Sequence, residues 1–339
     1  MKAMFASAGR AIDWPAGMVG LIEGLRCPVC AHRVREAETG SLGCDGCGRV
    51  FPVEDDIPRM LDEALLDIAK KRAEIAGWVE KARSERWYEP DDEVDAALPY
   101  LCRDLGWDVS DWRATEHSFQ VLLDRYLQPG MRVLELGAAK CWGAQHLIPR
   151  GCEYVGTDIL ADANIGLGRG AFYERRVGPF PRIQADGEHL PFEDEAFDVT
   201  YCVATLHHAL DLGRMVREMA RVTRPGGLVA ALNEGTRAPG RSALEPSQQA
   251  ERELGINEHV HTVWAYFWSF TRAGLRIRRL ENADGGFRSR IGRGLRHAPK
   301  VGWTLSVLLE QTFFGYSPAL LLKKGAGTSF GVSIYARKP

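Results

Sequence analysis

The sequence predicts an α/β protein built on an open, mainly parallel sheet, with a small metal-binding module ahead of it. Three observations carry that reading. Residues 131–158 run as strand, small-residue turn, helix, strand and acid. Short apolar runs separated by turns and amphipathic stretches then continue through residues 182–235. Two Cys-x-x-Cys pairs lie within the first 60 residues.

In the first of these stretches, Arg132–Leu136 is a short apolar run with an acid, Glu135, near its end. Gly137-Ala138-Ala139 makes a turn, and a helix is expected from about Trp142–Ala144. A second apolar run, Tyr154–Gly156, ends in Asp158. This is the sequence form of a nucleotide-binding βαβ unit, in which small residues let the backbone approach a ligand. Asp158, about 20 residues beyond the turn, is placed to accept hydrogen bonds from ribose hydroxyls. The turn is not G-x-G-x-x-G, so a nicotinamide cofactor is not the first choice.

Residues 182–235 add ADGEHLPF, FDVTYCVATLHH and a late RPGG ahead of another apolar run. With LELGAAKCWG and the acid of VGTD, these motifs make the block from about Met131 to Gly235 resemble class I S-adenosylmethionine-dependent methyltransferases of the type 11 kind. The resemblance implies a Rossmann-like seven-stranded sheet and S-adenosyl-L-methionine as co-substrate. It also implies roles for single residues. Glu135 would sit near the methionine ammonium, Gly137 and Ala139 would form the cofactor turn, and Asp158 with Ile159 would meet the ribose. Asp186 and Gly187 would take the adenine, and Cys202 and Val203 would close the site at the end of the fourth strand. Ala139 and Cys141 stand where the family most often has glycine. Asp198 is expected to orient the fourth strand.

Of the histidines, His207 and His208 follow the fourth strand, beside the expected sulfonium methyl, and His259 lies in a later polar stretch. An imidazole there could accept a proton from an acceptor hydroxyl because its pKa lies near working pH. Pocket shaping without proton transfer is the alternative for all three. Methyl transfer itself asks mainly for in-line geometry and a positioned nucleophile, so it does not require a base.

Cys27, Cys30, Cys44 and Cys47 form the two Cys-x-x-Cys pairs. Each pair can aim two thiolates at one point, and two pairs close a tetrahedral zinc site with no open position. A redox dithiol is the competing reading. The segment resembles the small zinc-binding activator subunit of certain tRNA and protein methyltransferases, which gives a zinc-ribbon-like module over residues 1–60. Residues 61–128 are expected to be a helical connector and cofactor lid. It has one helix over 61–86, with Leu65, Ile68, Ala69, Ile75 and Val79 on its apolar face, and another over 115–127. The resemblance lets Tyr88 and His117 line the site. The resemblance implies a methyltransferase domain over residues 129–339, with a helix expected over 263–270 and strands at 275–280 and 328–336, the last antiparallel. Between those strands lie about 45 residues, far more than the roughly two to five of a hairpin loop. This insertion, about 282–326, is Arg-rich at Arg288, Arg290, Arg293 and Arg296 and then apolar. It reads as a lid, a homodimer contact or a peripheral membrane-surface helix.

Composition bounds the function. The 339 residues are 45% hydrophobic and 26% charged with a net charge of -2, which carries no nucleic-acid-like bias. No run of roughly 18 apolar residues suggests a transmembrane segment. Eight cysteines, four of them paired as Cys-x-x-Cys, fit a reducing cytoplasm better than a disulfide scaffold. No Asn-Pro-Pro-Tyr-like motif, which the family uses for amino groups, follows the fourth strand. The leading expectation is therefore O-methylation of a small-molecule acceptor such as a sugar or secondary metabolite. The alternatives are an RNA base methyltransferase, with Arg276–Lys300 meeting phosphates, and a non-catalytic binding protein that keeps the fold.

Overall fold

A computed structural model describes residues 23–37, 40–236, 246–283 and 330–339. The insertion expected at about 282–326 falls almost wholly outside the described residues.

The larger sheet has seven strands in the order β10-β11-β9-β8-β5-β6-β7. Its central strand β5 (Arg132–Leu136) pairs in parallel with β6 (Glu153–Asp158) on one side and β8 (Phe197–Val203) on the other. β7 (Arg182–Gln184) and β9 (Thr223–Thr236) extend the parallel part, and β11 (Phe330–Arg337) runs antiparallel between β9 and β10 (Arg276–Asn282). The strand order reverses between β5 and β8, and in open α/β sheets ligands bind outside the carboxyl ends of the strands at such a point. Asp198 serves the role expected of it. One oxygen accepts from the Arg132 backbone N at 2.7 Å and the other from Arg224 Nε at 2.6 Å, tying the starts of β5, β8 and β9.

The amino-terminal module is a four-stranded antiparallel sheet made of β1 (Val34–Ala37), β2 (Ser41–Cys44), β3 (Val50–Glu54) and β4 (Ile57–Pro58). It docks on the loop that follows β7. Arg26 N donates to Pro191 O at 3.0 Å, Glu193 N to Gly24 O at 2.9 Å and Met60 N to Gln184 O at 2.9 Å. Arg26 also pairs with Glu193 at 2.8 Å. Leu25, Val34, Leu42, Phe51 and Met60 share one buried cluster with Ile183, Leu190 and Phe192, so the module and the main sheet have a continuous core. Desolvating such a seam is the dominant favourable term in docking one layer on another.

Between the two sheets run α1 (Ile68–Ser84), α2 (Asp92–Ala97), α3 (Leu101–Asp104) and α4 (Ser110–Tyr126). α4 buries Phe119, Leu122 and Leu123 as its spacing predicts. α1 departs from expectation. It begins later than residue 61, Ala69 is exposed, and its buried stripe is Ile68, Lys71, Glu74, Gly77 and Ala82. Residues three and four apart share a helix face, so the face turned to the protein carries two charged side chains. α5 (Ala144–Leu147), α6 (Gly170–Val177), α7 (Leu212–Val222), α8 (Pro246–Glu253) and α9 (Val263–Arg272) complete the described helices. Among the described residues no helix is long and apolar enough to cross a membrane.

Candidate active site

A cavity of about 790 Å³ opens at the carboxyl ends of β5, β6 and β8, under α1. One end is lined by Gly137, Ala139, Asp158, Ile159, Asp186, Gly187 and Val203. These are seven of the nine residues expected to hold the cofactor. Gly137 has φ +67°, and a Cβ there would strike the Thr205 side chain, so the turn admits only glycine. Ala139 and Cys141 also lie in the left-handed region, at φ +45° and +64°. The loop thus keeps a glycine-type backbone with side chains that strain it. Asp158 reaches back to that loop. Oδ2 accepts from Ala139 N and Oδ1 from Leu160 N, each at 2.8 Å. Burial raises the Asp158 carboxyl, and backbone N–H groups work against the rise.

The other two expected cofactor residues are turned away. Glu135 lies beneath the loop in the core, where Oε2 accepts from Tyr154 Oη at 2.5 Å. Complete burial pushes its pKa up to about 8. Cys202 faces the opposite side of the sheet from Val203, with Sγ 3.6 Å from Glu234. Successive strand residues point to opposite faces, so only one of that pair can meet the cleft.

Asp186 sits in a polar cluster that periodicity did not reveal. Lys71 Nζ, on α1, lies 3.5 Å from Asp186 Oδ1 and 3.1 Å from Glu188 Oε1, with all three side chains buried. His189 Nδ1 lies 3.1 Å from Asp186 Oδ2. Burial opposes the charge of Asp186, but His189 and Lys71 outweigh it and hold the carboxyl below its ordinary range. Burial likewise opposes the Lys71 ammonium, which the carboxylates of Asp186, Glu188 and Glu74 raise.

The rest of the cleft is aromatic and apolar, with Trp78, Trp112, Trp142, Leu98 and Leu101 on its walls and an exposed Trp107 beside them. Of the three candidate histidines only His208 lines it. Its Nδ1 faces the Asn257 carbonyl at 2.8 Å and its ring packs edge-on to Trp78 at 5.5 Å. Burial, and then the neighbouring His207, hold it well below the ordinary histidine range, so the ring is neutral. His207 is pinned behind it, with Nδ1 2.9 Å from Glu234 Oε2. Burial works against its charge, and the Glu234 carboxylate raises its pKa. Glu234 also accepts from the backbone N of Thr205 and Leu206 at 2.9 and 3.0 Å, and so fixes the turn that presents both rings. His259 lies off the cleft and packs against His261. Tyr88, bonded to Asp162, and His117 lie outside it as well.

In the amino-terminal module Cys27, Cys30, Cys44 and Cys47 bring their sulfurs within 4.8 Å of one another. Cys27 and Cys47 are 3.7 Å apart and Cys30 and Cys44 3.4 Å, with all four unbridged. A tetrahedral zinc with bonds of about 2.3 Å spaces its sulfurs by roughly 3.8 Å, so these thiols fit one.

Comparison with known proteins agrees with this layout. Residues 134–231 match the methyltransferase domain family and residues 20–56 match the Trm112p-like protein family. The demethylmenaquinone methyltransferase of Mycolicibacterium gilvum is 37% identical over 124 residues, which cover 36% of this chain and 48% of that protein. The ubiquinone/menaquinone biosynthesis C-methyltransferase of Idiomarina loihiensis is 34% identical over 110 residues, 30% of this chain and 42% of that one. The 27-O-demethylrifamycin SV methyltransferase of Amycolatopsis mediterranei is 39% identical over 71 residues, 21% and 26% of the two chains. The chain spans less than half the length of each of these relatives. It carries, then, a class I S-adenosylmethionine-dependent methyltransferase domain, with a Trm112p-like segment ahead of it whose four cysteines fit a zinc ion.

Proposed function

We propose that the chain transfers a methyl group from S-adenosylmethionine to a hydroxyl of a flat, largely apolar small molecule bound against the tryptophan walls. The observation that carries this is the single cleft in which the cofactor-type loop and acids share one space with Trp78, Trp112 and Trp142. S-adenosylmethionine supplies an activated methyl on sulfur. Of the chain's own residues, the Gly137–Ala139 turn and Asp158 hold the ribose end, and Asp186 with Gly187 holds the adenine. His208 presents a neutral imidazole on the acceptor side. The aromatic walls hold a planar acceptor by stacking and keep water from the reacting atoms.

An RNA base is less well served. Phosphates call for free cations, and the two lysines on the outer walls, Lys81 and Lys140, already pair with Glu251 and Asp95. The four thiolates of the amino-terminal module take a structural zinc, which supports the loop carrying Asp186 and takes no part in chemistry.

The test is calorimetric titration of zinc-loaded protein with S-adenosylhomocysteine, with Asp158→Ala as control. Micromolar binding that the control loses supports the cofactor site and opens a screen of hydroxylated aromatic acceptors with labelled methyl donor. Methyl found on carbon would move the chain toward the quinone relatives. No binding would favour a partner-binding protein that has kept the fold.

A further inference from the structure

The structure assigns a second metal site to His207, His208, Glu258 and Glu74, distinct from the four cysteines. Three separate elements deliver these side chains. The histidines come from the turn after β8, Glu258 from the loop before α9, and Glu74 from α1. Glu258 Oε2 lies 3.7 Å from His207 Nε2 and 3.6 Å from His208 Nδ1, and Glu74 Oε1 lies 3.7 Å from the same Nδ1. These separations are too long for hydrogen bonds. They approach the edges of a coordination polyhedron, which are about 3.0–3.4 Å for nitrogen and oxygen ligands held at about 2.1 Å. The ligand atoms of His207, His208 and Glu258 all fall within 4.8 Å of one another.

Two further observations point to a ligand. The Glu74 side chain is 2% exposed, and its Oε2 has no hydrogen-bond partner among the described residues. A buried carboxylate oxygen left unpaired is costly; Oε1 is the Glu74 oxygen nearer His208, and a cation between the four side chains would satisfy Oε2 by taking both oxygens of that carboxylate. The surroundings are also those of a metal ligand. His207 directs Nδ1 to the Glu234 carboxylate at 2.9 Å, which leaves Nε2 free to coordinate toward Glu258. A ligating histidine commonly donates its other ring N–H to a carboxylate in this way. The other oxygen of Glu258 is held by Gln248 Nε2 at 3.0 Å.

At His208 the ion would take the place of the proton that Nδ1 donates to the Asn257 carbonyl, and the neutral ring would carry its proton on Nε2. Two imidazoles and two carboxylates suit a divalent first-row ion such as Mn²⁺, Co²⁺ or Zn²⁺. His208 and Glu74 both line the cleft. An ion between them therefore borders the acceptor space, where an acceptor oxygen is the ligand it would take.

The probe is Mn²⁺ added to zinc-loaded full-length protein, followed by the loss of the free-ion signal in electron paramagnetic resonance. Manganese disfavours thiolates, so the four-cysteine site stays silent. One equivalent should bind saturably. Glu258→Gln and His207→Ala should each weaken it by at least tenfold, and Glu234→Gln, which removes the charge behind His207 while keeping an acceptor oxygen for the turn, by about 10- to 100-fold. Circular dichroism and thermal melts of the variants report folding separately, and Glu258→Gln is close to isosteric. Absence of binding by both Mn²⁺ and Co²⁺ beyond the four-cysteine site would overturn the assignment. So would wild-type affinity in folded Glu258→Gln. The site does not rest on the methyl-transfer reading, which the Asp158→Ala titration tests on its own.

Discussion

Replacing Lys71 with methionine should be among the most damaging single changes to this protein outside its apolar core. The ammonium is 3% exposed and lies 3.1 Å from Glu188 and 3.5 Å from Asp186, with Glu74 on the same helix face. At an effective dielectric of about 20, each contact is worth roughly 5 kcal/mol before the cost of burying the lysine is returned. Removing one partner from a buried ion cluster costs about 3–5 kcal/mol net, because the remaining charges stay buried without compensation. Methionine preserves the length of the stem, so packing is not the cause of the loss. The sign with pH follows from the same cluster. Burial alone raises a carboxyl, and Lys71 is among the groups that hold Asp186 down. Without it the folded-state pKa of Asp186 rises, so the variant is penalised increasingly as pH rises and recovers in part toward pH 5. Urea denaturation of both proteins at pH 5.5 and 8, without cofactor, measures this. We expect a loss of about 3–5 kcal/mol at pH 8 and a smaller one at pH 5.5. A loss below about 1 kcal/mol at pH 8, or equal losses at the two pH values, would refute the argument. Glu188→Gln in the Lys71→Met background should restore part of the stability, since neighbours in one network are not additive.

Two further outcomes follow from other buried groups. Glu135 is raised from 4.5 to about 8 in the folded chain, so its contribution is present below the unfolded value and is lost as pH climbs through that window. Ligand-free stability should decline from pH 5 to 8 by up to about 1.4 kcal/mol per unit from this group. Glu135→Gln should flatten that slope; denaturation curves of unchanged slope would count against the reading. For the amino-terminal module, purified protein should carry at least one zinc, and Cys44→Ser should lose it by elemental analysis. That variant should also bind S-adenosylhomocysteine more weakly than wild type, because the module buttresses the loop after β7. Unaltered affinity in the zinc-free variant would sever that link.

The parts of this molecule that could be read from the sequence are those whose physics is local. Acids at strand ends, a glycine whose turn tolerates no side chain and paired cysteines all announce themselves within a few residues. Asp158, Asp186, Gly137 and the four cysteines are such cases. The misplacements have a common cause. The strand containing Tyr201, Cys202 and Val203 is legible as a strand, but a central parallel strand is apolar on both faces. Nothing local says which of Cys202 and Val203 meets the cleft. Glu135 sits at the expected strand end, yet the tyrosine beneath it comes from the next strand and draws it into the core. The reading of α1 found the helix and the buried Ile68 but missed the charged part of its inner face, because periodicity looks for apolar residues there. The buried stripe of α1 includes Lys71 and Glu74, and their partners Asp186, Glu188 and His208 lie far along the chain. A polar residue is tolerated inside only when another element supplies its counterpart. A buried charge is therefore a property of two segments at once, and single-segment pattern reading assigns it to solvent. The same holds for Glu234, whose role depends on the turn of His207 and His208 folding onto it. In this chain the polar groups that pattern reading sends to the surface are those that join α1, β9 and the loop after β7 around the cleft.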